Sequence, residues 1–257
     1  MGASALAGRG VVVTRPADQA GALARLIEAA GGRALVYPAM DIEDLAPSPE
    51  TAELIARLEE FDLAIFVSPT AARKALALVR ARRDWPSGLR AAAIGGGTRA
   101  ELQRHGIEGA IVPRAGADSE ALLSLPQLAG LSGKRVAIFR GEGGRALLAE
   151  TLRSRGARVQ LAECYRRKPP KTDFRPLASA LDSNEVHAVT SFSSAGLRYL
   201  LEALGETAAR RLRGTPLFAA HERIGEQARR LGIGTVLVAG PGDAQMLARV
   251  VAYFEAP

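Results

Sequence analysis

Cysteine is almost absent from this 257-residue chain: Cys164 stands alone, which excludes an intrachain disulfide and any cysteine-based zinc cluster. Histidine is nearly as scarce, and His105, His187 and His221 fall far apart with no metal-ligand spacing, so no metal site is expected. Aromatic residues make up 5% of the chain, too few for the stacking platforms that grip single-stranded nucleic acid. No apolar run approaches the ~20 residues that span a bilayer. Residues 1–10 also lack the long apolar core of a signal peptide. The expectation is a cytoplasmic protein that binds neither membrane nor nucleic acid.

What is abundant is alanine, leucine, glycine and arginine, the profile of a soluble α/β protein. The length allows one large domain or two small ones, each able to bury a core. The net charge of +7 is spread along helices rather than clustered. It reads either as a preference for an anionic ligand, a polycarboxylate or phosphate, or as an arginine-rich coding bias.

Two stretches organise the chain. Residues 34–44 form an extended apolar run broken by Pro38, and residues 157–171 alternate as a strand through Glu163 before Cys164-Tyr165 and a basic run ending at Pro169-Pro170. Prolines remove backbone donors and disfavour helix in the preceding residue, so both stretches read as extended crossings between lobes. One domain then combines residues 1–37 with 171–257, the other covers 43–164, and 38–42 and 165–170 are linker strands.

Between the crossings, short apolar strands alternate with amphipathic helices. Strands are predicted at Val11–Thr14, Arg33–Tyr37, Leu63–Val67, Ala91–Ile94, Ala110–Val112, Lys134–Phe139, Arg158–Glu163, His187–Thr190, Pro216–Ala219 and Thr235–Val238. Helices follow most of them, among them one from Arg99 to His105, one capped by Ser119, and one ending near Leu204. The segments also repeat. Val11-Val-Val-Thr-Arg15 through Tyr37 has the layout of Val136-Ala-Ile-Phe-Arg140 through Tyr165, and the stretch from Phe66 to Ala72 that of Val189 to Ala195. The turn at Ile94–Thr98 with Gly106-Ile107 is echoed by Ala220–Ile224 with Gly232-Ile233. The predicted fold is two similar open parallel-sheet α/β lobes with a cleft between them.

Ligands of open parallel sheets bind beyond the carboxyl ends of strands, where loops enter helices. The candidate positions are Arg15; Ser68 and Thr70; Gly96, Gly97 and Thr98; Arg140 and Gly141; Ser191 and Ser193; and His221 and Ile224. Small residues bare the backbone, and free N–H groups at a helix start attract carboxylate or phosphate oxygens. Serine and threonine there equally serve as helix caps, which suffices for any single loop; the set together reads as a shared anion-binding face. The order Gly-x-Gly-x-x-Gly, a Walker Gly-Lys-Ser/Thr and a Gly-x-Ser-x-Gly elbow are all missing, which argues against nucleotide binding and a serine hydrolase. Tyr165 lies at a crossing. From the residues alone it packs its ring against the linker, as does Tyr37; were its hydroxyl to face the cleft, it would be a proton donor.

Taken in order, Val13-Thr-Arg-Pro16, Phe66-Val-Ser-Pro-Thr-Ala-Ala72, Ile94-Gly-Gly-Gly-Thr98, Phe139-Arg-Gly-Glu-Gly-Gly-Arg145, Glu163-Cys-Tyr165 and Thr190-Ser-Phe-Ser-Ser194 resemble the uroporphyrinogen-III synthase family along nearly the whole chain. The resemblance implies two flavodoxin-like domains joined by a two-stranded linker, a monomer, and no metal or cofactor. It implies hydroxymethylbilane, a linear tetrapyrrole with eight carboxylates, as substrate, cyclised with inversion of its last ring. By the same resemblance Tyr165 assists departure of the hydroxyl, Thr98 is the turn threonine, and Ser68 and Ser191 are corresponding serines. Ile224 stands where the family often has a threonine, so only backbone donors are expected at that turn. The rival reading is a two-lobed module closing on a small anion without chemistry. A nucleotide-dependent transferase ranks behind it.

Overall fold

The structure is a computed structural model and describes residues 5–114 and 116–256. From the N-terminus the chain forms β1 (Gly10–Val13), α1 (Ala17–Ala29), β2 (Arg33–Val36), β3 (Asp41–Asp44) and α2 (Pro49–Ala56). There follow β4 (Leu63–Phe66), α3 (Pro69–Arg80), β5 (Arg90–Ala93), α4 (Gly96–Arg104) and α5 (Ser119–Leu123). Next come β6 (Arg135–Gly141), α6 (Leu147–Ser154), β7 (Arg158–Lys168), α7 (Arg175–Asp182) and β8 (Val186–Ser191). The chain closes with α8 (Ser194–Arg213), β9 (Leu217–Ala219), α9 (Glu222–Arg230), β10 (Val236–Val238) and α10 (Asp243–Glu255).

Two compact units result: Met1–Ile42 with Lys168–Pro257, and Glu43–Arg167. The chain leaves the first unit within β3 and returns to it at the end of β7, and these two strands are neighbours in the second sheet.

The first unit is built on a five-stranded sheet ordered β10-β9-β8-β1-β2 with parallel pairing throughout. Counted along its own chain this is the flavodoxin-like order 2-1-3-4-5. All four residues of β1 are buried, as expected of a central strand covered by helices on both faces. α1 buries Ala20, Leu23 and Ile27, the spacing of a single helical stripe, into a core that also holds Val189, Leu200, Phe218 and Met246.

The second sheet runs β3-β7-β6-β4-β5, and Ile111 adds a parallel bridge to Ala92 beyond β5. Setting β3 aside, β7-β6-β4-β5-Ile111 repeats the spatial order β2-β1-β8-β9-β10. The same arrangement is entered by the chain at a different strand. Its core gathers Ile65, Val136, Ile138, Leu148 and Leu152, and the rings of Phe66 and Phe139 stack with centroids 5.1 Å apart.

Several local expectations change. β7 runs past Glu163 to Lys168, because its residues keep their donors until Pro169. α4 begins at Gly96, so Gly96 and Gly97 are its first turn rather than a loop before a helix at Arg99. Asp118, not Ser119, caps α5 by accepting from the Ala121 N–H. The strand predicted at Ala110–Val112 reduces to the single Ile111 bridge. α8 continues to Arg213, with a break at Gly205 (φ 68°, ψ 171°) next to the end predicted at Leu204.

Candidate functional site

Each sheet has one place where successive connections depart to opposite sides: between β1 and β8 in the first unit, and between β6 and β4 in the second. Such switch points open a crevice at the carboxyl ends of the strands. Apart from Tyr165, which lies within β7 level with the end of β6, every residue singled out in the sequence lies on a loop, helix start or strand end at a carboxyl edge, but the side chains differ sharply in what they can reach.

In the second unit Tyr165 sits on β7 opposite Gly141, at an irregularity in the β6–β7 register. A methyl group at 141 would lie 2.6 Å from the phenol Cζ, so the ring occupies the space that only glycine leaves. The backbone is pinned as well, since Glu142 N–H donates to Tyr165 O at 2.8 Å. Tyr165 is 1% exposed, so its ring does pack inside the protein. Its hydroxyl is nonetheless in polar surroundings: Ser68 Oγ lies 3.2 Å away, and Arg167 donates to Oη from 3.0 Å. Ser68 is half-buried and caps α3, its Oγ accepting the Ala71 N–H at 2.9 Å.

The start of α4 adjoins this group, a methyl at Gly97 falling 3.6 Å from Pro69. Gly96 and Gly97 are exposed, and a methyl at Gly96 would meet nothing within 4 Å, so the first-turn N–H groups open outward. Thr98 and Thr70 are buried, and any outward contact at Thr98 comes from its backbone.

Arg140 is folded inward. Its residue is 6% exposed, and it donates to Gly141 O at 3.3 Å and Arg145 O at 3.4 Å, which shapes the turn from Gly141 to Arg145. A methyl at Gly144 would come within 2.5 Å of its guanidinium. Arg140 thus braces the loop from beneath.

In the first unit Arg15 follows β1 and joins three loops. Its guanidinium lies 3.6 Å over the Phe192 ring, pairs with Asp243 at 2.8 Å and donates to Pro241 O at 3.2 Å. Burial pulls this guanidinium below its ordinary range and Asp243 opposes the shift. Arg15 Nε, Asp243 Oδ1 and Ser194 Oγ are buried without a hydrogen-bond partner, the Arg15–Asp243 ion pair being off the hydrogen-bond direction at Oδ1. Leaving such a group unpaired costs about 1–3 kcal/mol, so Arg15 Nε would gain from an acceptor and Ser194 Oγ from either kind of partner, while Asp243 Oδ1 already faces the Arg15 guanidinium.

Ser193 is the cap of α8, accepting from Gly196 N–H at 3.2 Å, whereas Ser191 is buried with its hydroxyl turned to Ser193 O. Strand register decides which of them answers to Ser68. Val13 lies opposite Thr190, placing Thr14 level with Ser191, while Phe139 lies opposite Phe66. With Arg15 matched to Arg140, Ser191 matches Phe66, and Ser193 therefore matches Ser68. By the same register Tyr37 matches Ala162, so the tyrosines are not equivalents. Tyr37 packs near Phe174, with centroids 6.2 Å apart.

His221 precedes α9 and is half-buried. Ile224 points into the core and its N–H donates to His221 O at 3.0 Å, so the outward donors of that turn are the N–H groups of Glu222 and Arg223 rather than that of Ile224. Sequence reasoning missed Arg167, Phe192 and Asp243. Arg167 was within reach: two positions past Tyr165 on one strand, it shares the tyrosine's face.

A family model described as Uroporphyrinogen-III synthase HemD matches residues 21–248. The chain belongs to the uroporphyrinogen-III synthase family. It is 34% identical over 256 residues to the uroporphyrinogen-III synthase of Salmonella typhimurium, covering 94% of this chain and 99% of that protein. The Escherichia coli synthase is 31% identical over 243 residues, with 94% and 99% covered. Among solved structures, a mutant uroporphyrinogen III synthase from Thermus thermophilus matches with a TM-score of 0.64 at 21% identity, covering 96% of this chain and all of that one. The Helicobacter pylori synthetase matches at 0.60 and 13% identity, with 95% and 99% covered. At such identities the structural likeness speaks for the fold alone, and the sequence matches carry the family. Among the described residues no group of three or more His, Cys, Asp or Glu is placed to hold a metal, and no helix is long and apolar enough to cross a membrane.

Proposed function

We infer that the chain carries the activity of its family, closing hydroxymethylbilane to uroporphyrinogen III with inversion of the last ring, as a carbon–oxygen lyase of tetrapyrrole biosynthesis. The observation that carries the assignment of the site is the phenol of Tyr165, held between Gly141, Ser68 and Arg167 at the carboxyl edge of the second sheet. The reaction removes water and leaves the oxidation level unchanged, so it requires no redox cofactor.

The chemistry needs an acid and a mould. The carbon–oxygen bond of the hydroxymethyl group breaks with its electron pair leaving on oxygen; a proton turns the leaving group into water, and the adjacent pyrrole nitrogen supplies electrons to the exposed carbon. Tyr165 is the source of that proton. The resulting electrophile closes on its own to the uninverted isomer, so the protein must steer attack to the substituted carbon of the last ring, through a spiro intermediate. Steering requires the carboxylates to be held before reaction begins. The N–H groups of Gly96, Gly97 and Thr98, those at the start of α9 beside His221, and the Arg15 and Ser193 loops are the proposed holders. Arg15 Nε and Ser194 Oγ, buried without a hydrogen-bond partner and able to donate to a carboxylate, support that role.

In the same reading residues 38–42 and 165–170 are the linker, and the protein is monomeric and cytoplasmic. Val36 is the one exposed large hydrophobic residue among those described, which leaves little apolar surface for self-association. A lone cysteine suits a reducing compartment. The non-catalytic anion-binding alternative is not favoured by the family relationship. The deciding experiment supplies freshly generated hydroxymethylbilane and separates the isomers. Type III product is expected; type I alone from folded protein would overturn the assignment.

A further inference from the structure

We propose that Arg167 is a positioning residue, which fixes the direction in which Tyr165 gives up its proton and holds the charge left behind. The inference rests on Tyr165 being the acid of the proposed reaction.

A guanidinium has only donors, so the 3.0 Å contact from Arg167 makes Tyr165 Oη an acceptor there. The phenol's single proton is then left for Ser68 Oγ at 3.2 Å. Ser68 already accepts the Ala71 N–H through the same oxygen. With two bonds accepted, the serine's own hydrogen is the one that remains to be donated, and Ser68 is half-buried whereas Tyr165 is 1% exposed. Polarity and exposure together order the group as Arg167 to Tyr165 to Ser68 to substrate.

Each proton then has a defined path. As the substrate carbon–oxygen bond breaks, Ser68 gives its hydrogen to the departing oxygen, which leaves as water, and Ser68 takes the proton of Tyr165. Negative charge comes to rest on the phenol oxygen beside the Arg167 guanidinium. The proton released when the attacking pyrrole regains its aromatic ring returns along the same path. Among the described residues Arg167 has no carboxylate partner, unlike its neighbour Arg166, which pairs with Glu142 and Glu43. Its charge is therefore uncommitted in the resting protein. The guanidinium also sits 5.3 Å from the centre of the Tyr165 ring, so its placement is set by the same strand face that carries the tyrosine.

The test uses the full-length protein with freshly generated hydroxymethylbilane, and compares Arg167→Met, which keeps the aliphatic stem, with Arg167→Lys, which keeps the charge. Each is made in the parent and in a Tyr165→Phe background. For Arg167→Met in the parent we expect kcat to fall about 10- to 100-fold, the loss typical of one charge-assisted hydrogen bond, with KM changed less than about threefold. Arg167→Lys should recover part of that loss. In the Tyr165→Phe background Arg167→Met should have no further effect, because its route to the substrate is gone. An equal loss in both backgrounds would show that Arg167 acts independently of the phenol and would overturn the proposal, as would full activity of Arg167→Met. A parent protein that yields only type I isomer would instead overturn the functional assignment, so the two failures are told apart.

Discussion

The two switch points share one construction and diverge where the Tyr165 ring enters. In each, an arginine at the carboxyl end of a central strand is folded inward: Arg15, just past β1, onto Phe192, Pro241 and Asp243, and Arg140, near the end of β6, onto the carbonyls of Gly141 and Arg145. In each, a serine on the neighbouring loop caps a helix, Ser193 for α8 and Ser68 for α3. The residue after the arginine differs. Pro16 stands after Arg15, whereas Gly141 stands after Arg140 and leaves room for the Tyr165 ring. A duplicated scaffold thus supplies two similar edges, and a missing Cβ on one of them leaves room for a tyrosine ring.

The contrast breaks most severely at Gly141. Gly141→Ala forces the phenol aside, and an acid displaced by about 1 Å loses on the order of 10²-fold in turnover. Overpacking of the same site costs about 1–3 kcal/mol of stability. Initial rates and urea unfolding on one preparation measure both, and wild-type turnover in Gly141→Ala would show that the position of the ring is immaterial. A more graded comparison sets Ser68→Ala against Ser193→Ala. Each removes a helix cap and should cost about 1 kcal/mol, a matched loss in thermal unfolding. Turnover should separate them: Ser68→Ala lowers kcat, while Ser193→Ala acts on KM. Indistinguishable kinetics would mean that the two edges do the same work. The smallest effect concerns Cys164, next to Tyr165. Burial pushes its thiol up to about 12, so the native protein should resist a thiol reagent at pH 8 and react only when unfolded. Rapid native labelling would show that the strand carrying Tyr165 opens.

The scaffold was legible because it follows periodicity and punctuation. Val11-Val-Val13, Leu63-Ala-Ile-Phe66 and Val136-Ala-Ile-Phe139 are apolar on both faces, and glycine or proline marks the strand-to-helix turns, which together imply parallel sheets with helices on both sides. Membership of the family was legible in the order of the motifs. Side-chain direction was not. That the guanidinium of Arg15 donates to Pro241 O and that of Arg140 to Arg145 O is something no local pattern identifies. Ser191 and Ser193 could be ranked only once strand register was known, since a shift of two residues preserves the face. Arg167 was hidden by ending the strand at Glu163: read as far as Lys168, the alternation puts it on the same face as Tyr165.

The central claim is that the phenol at the carboxyl edge of the second unit provides the proton for water loss, and Tyr165→Phe under single-turnover conditions addresses it most directly. The substitution keeps the ring against Gly141 and removes only the hydroxyl. The account predicts a fall of about 10²- to 10⁴-fold in the rate of type III formation, with unfolding shifted by no more than the loss of one or two hydrogen bonds, about 1–2 kcal/mol. A Tyr165→Phe variant that forms type III isomer at the parental rate would contradict it.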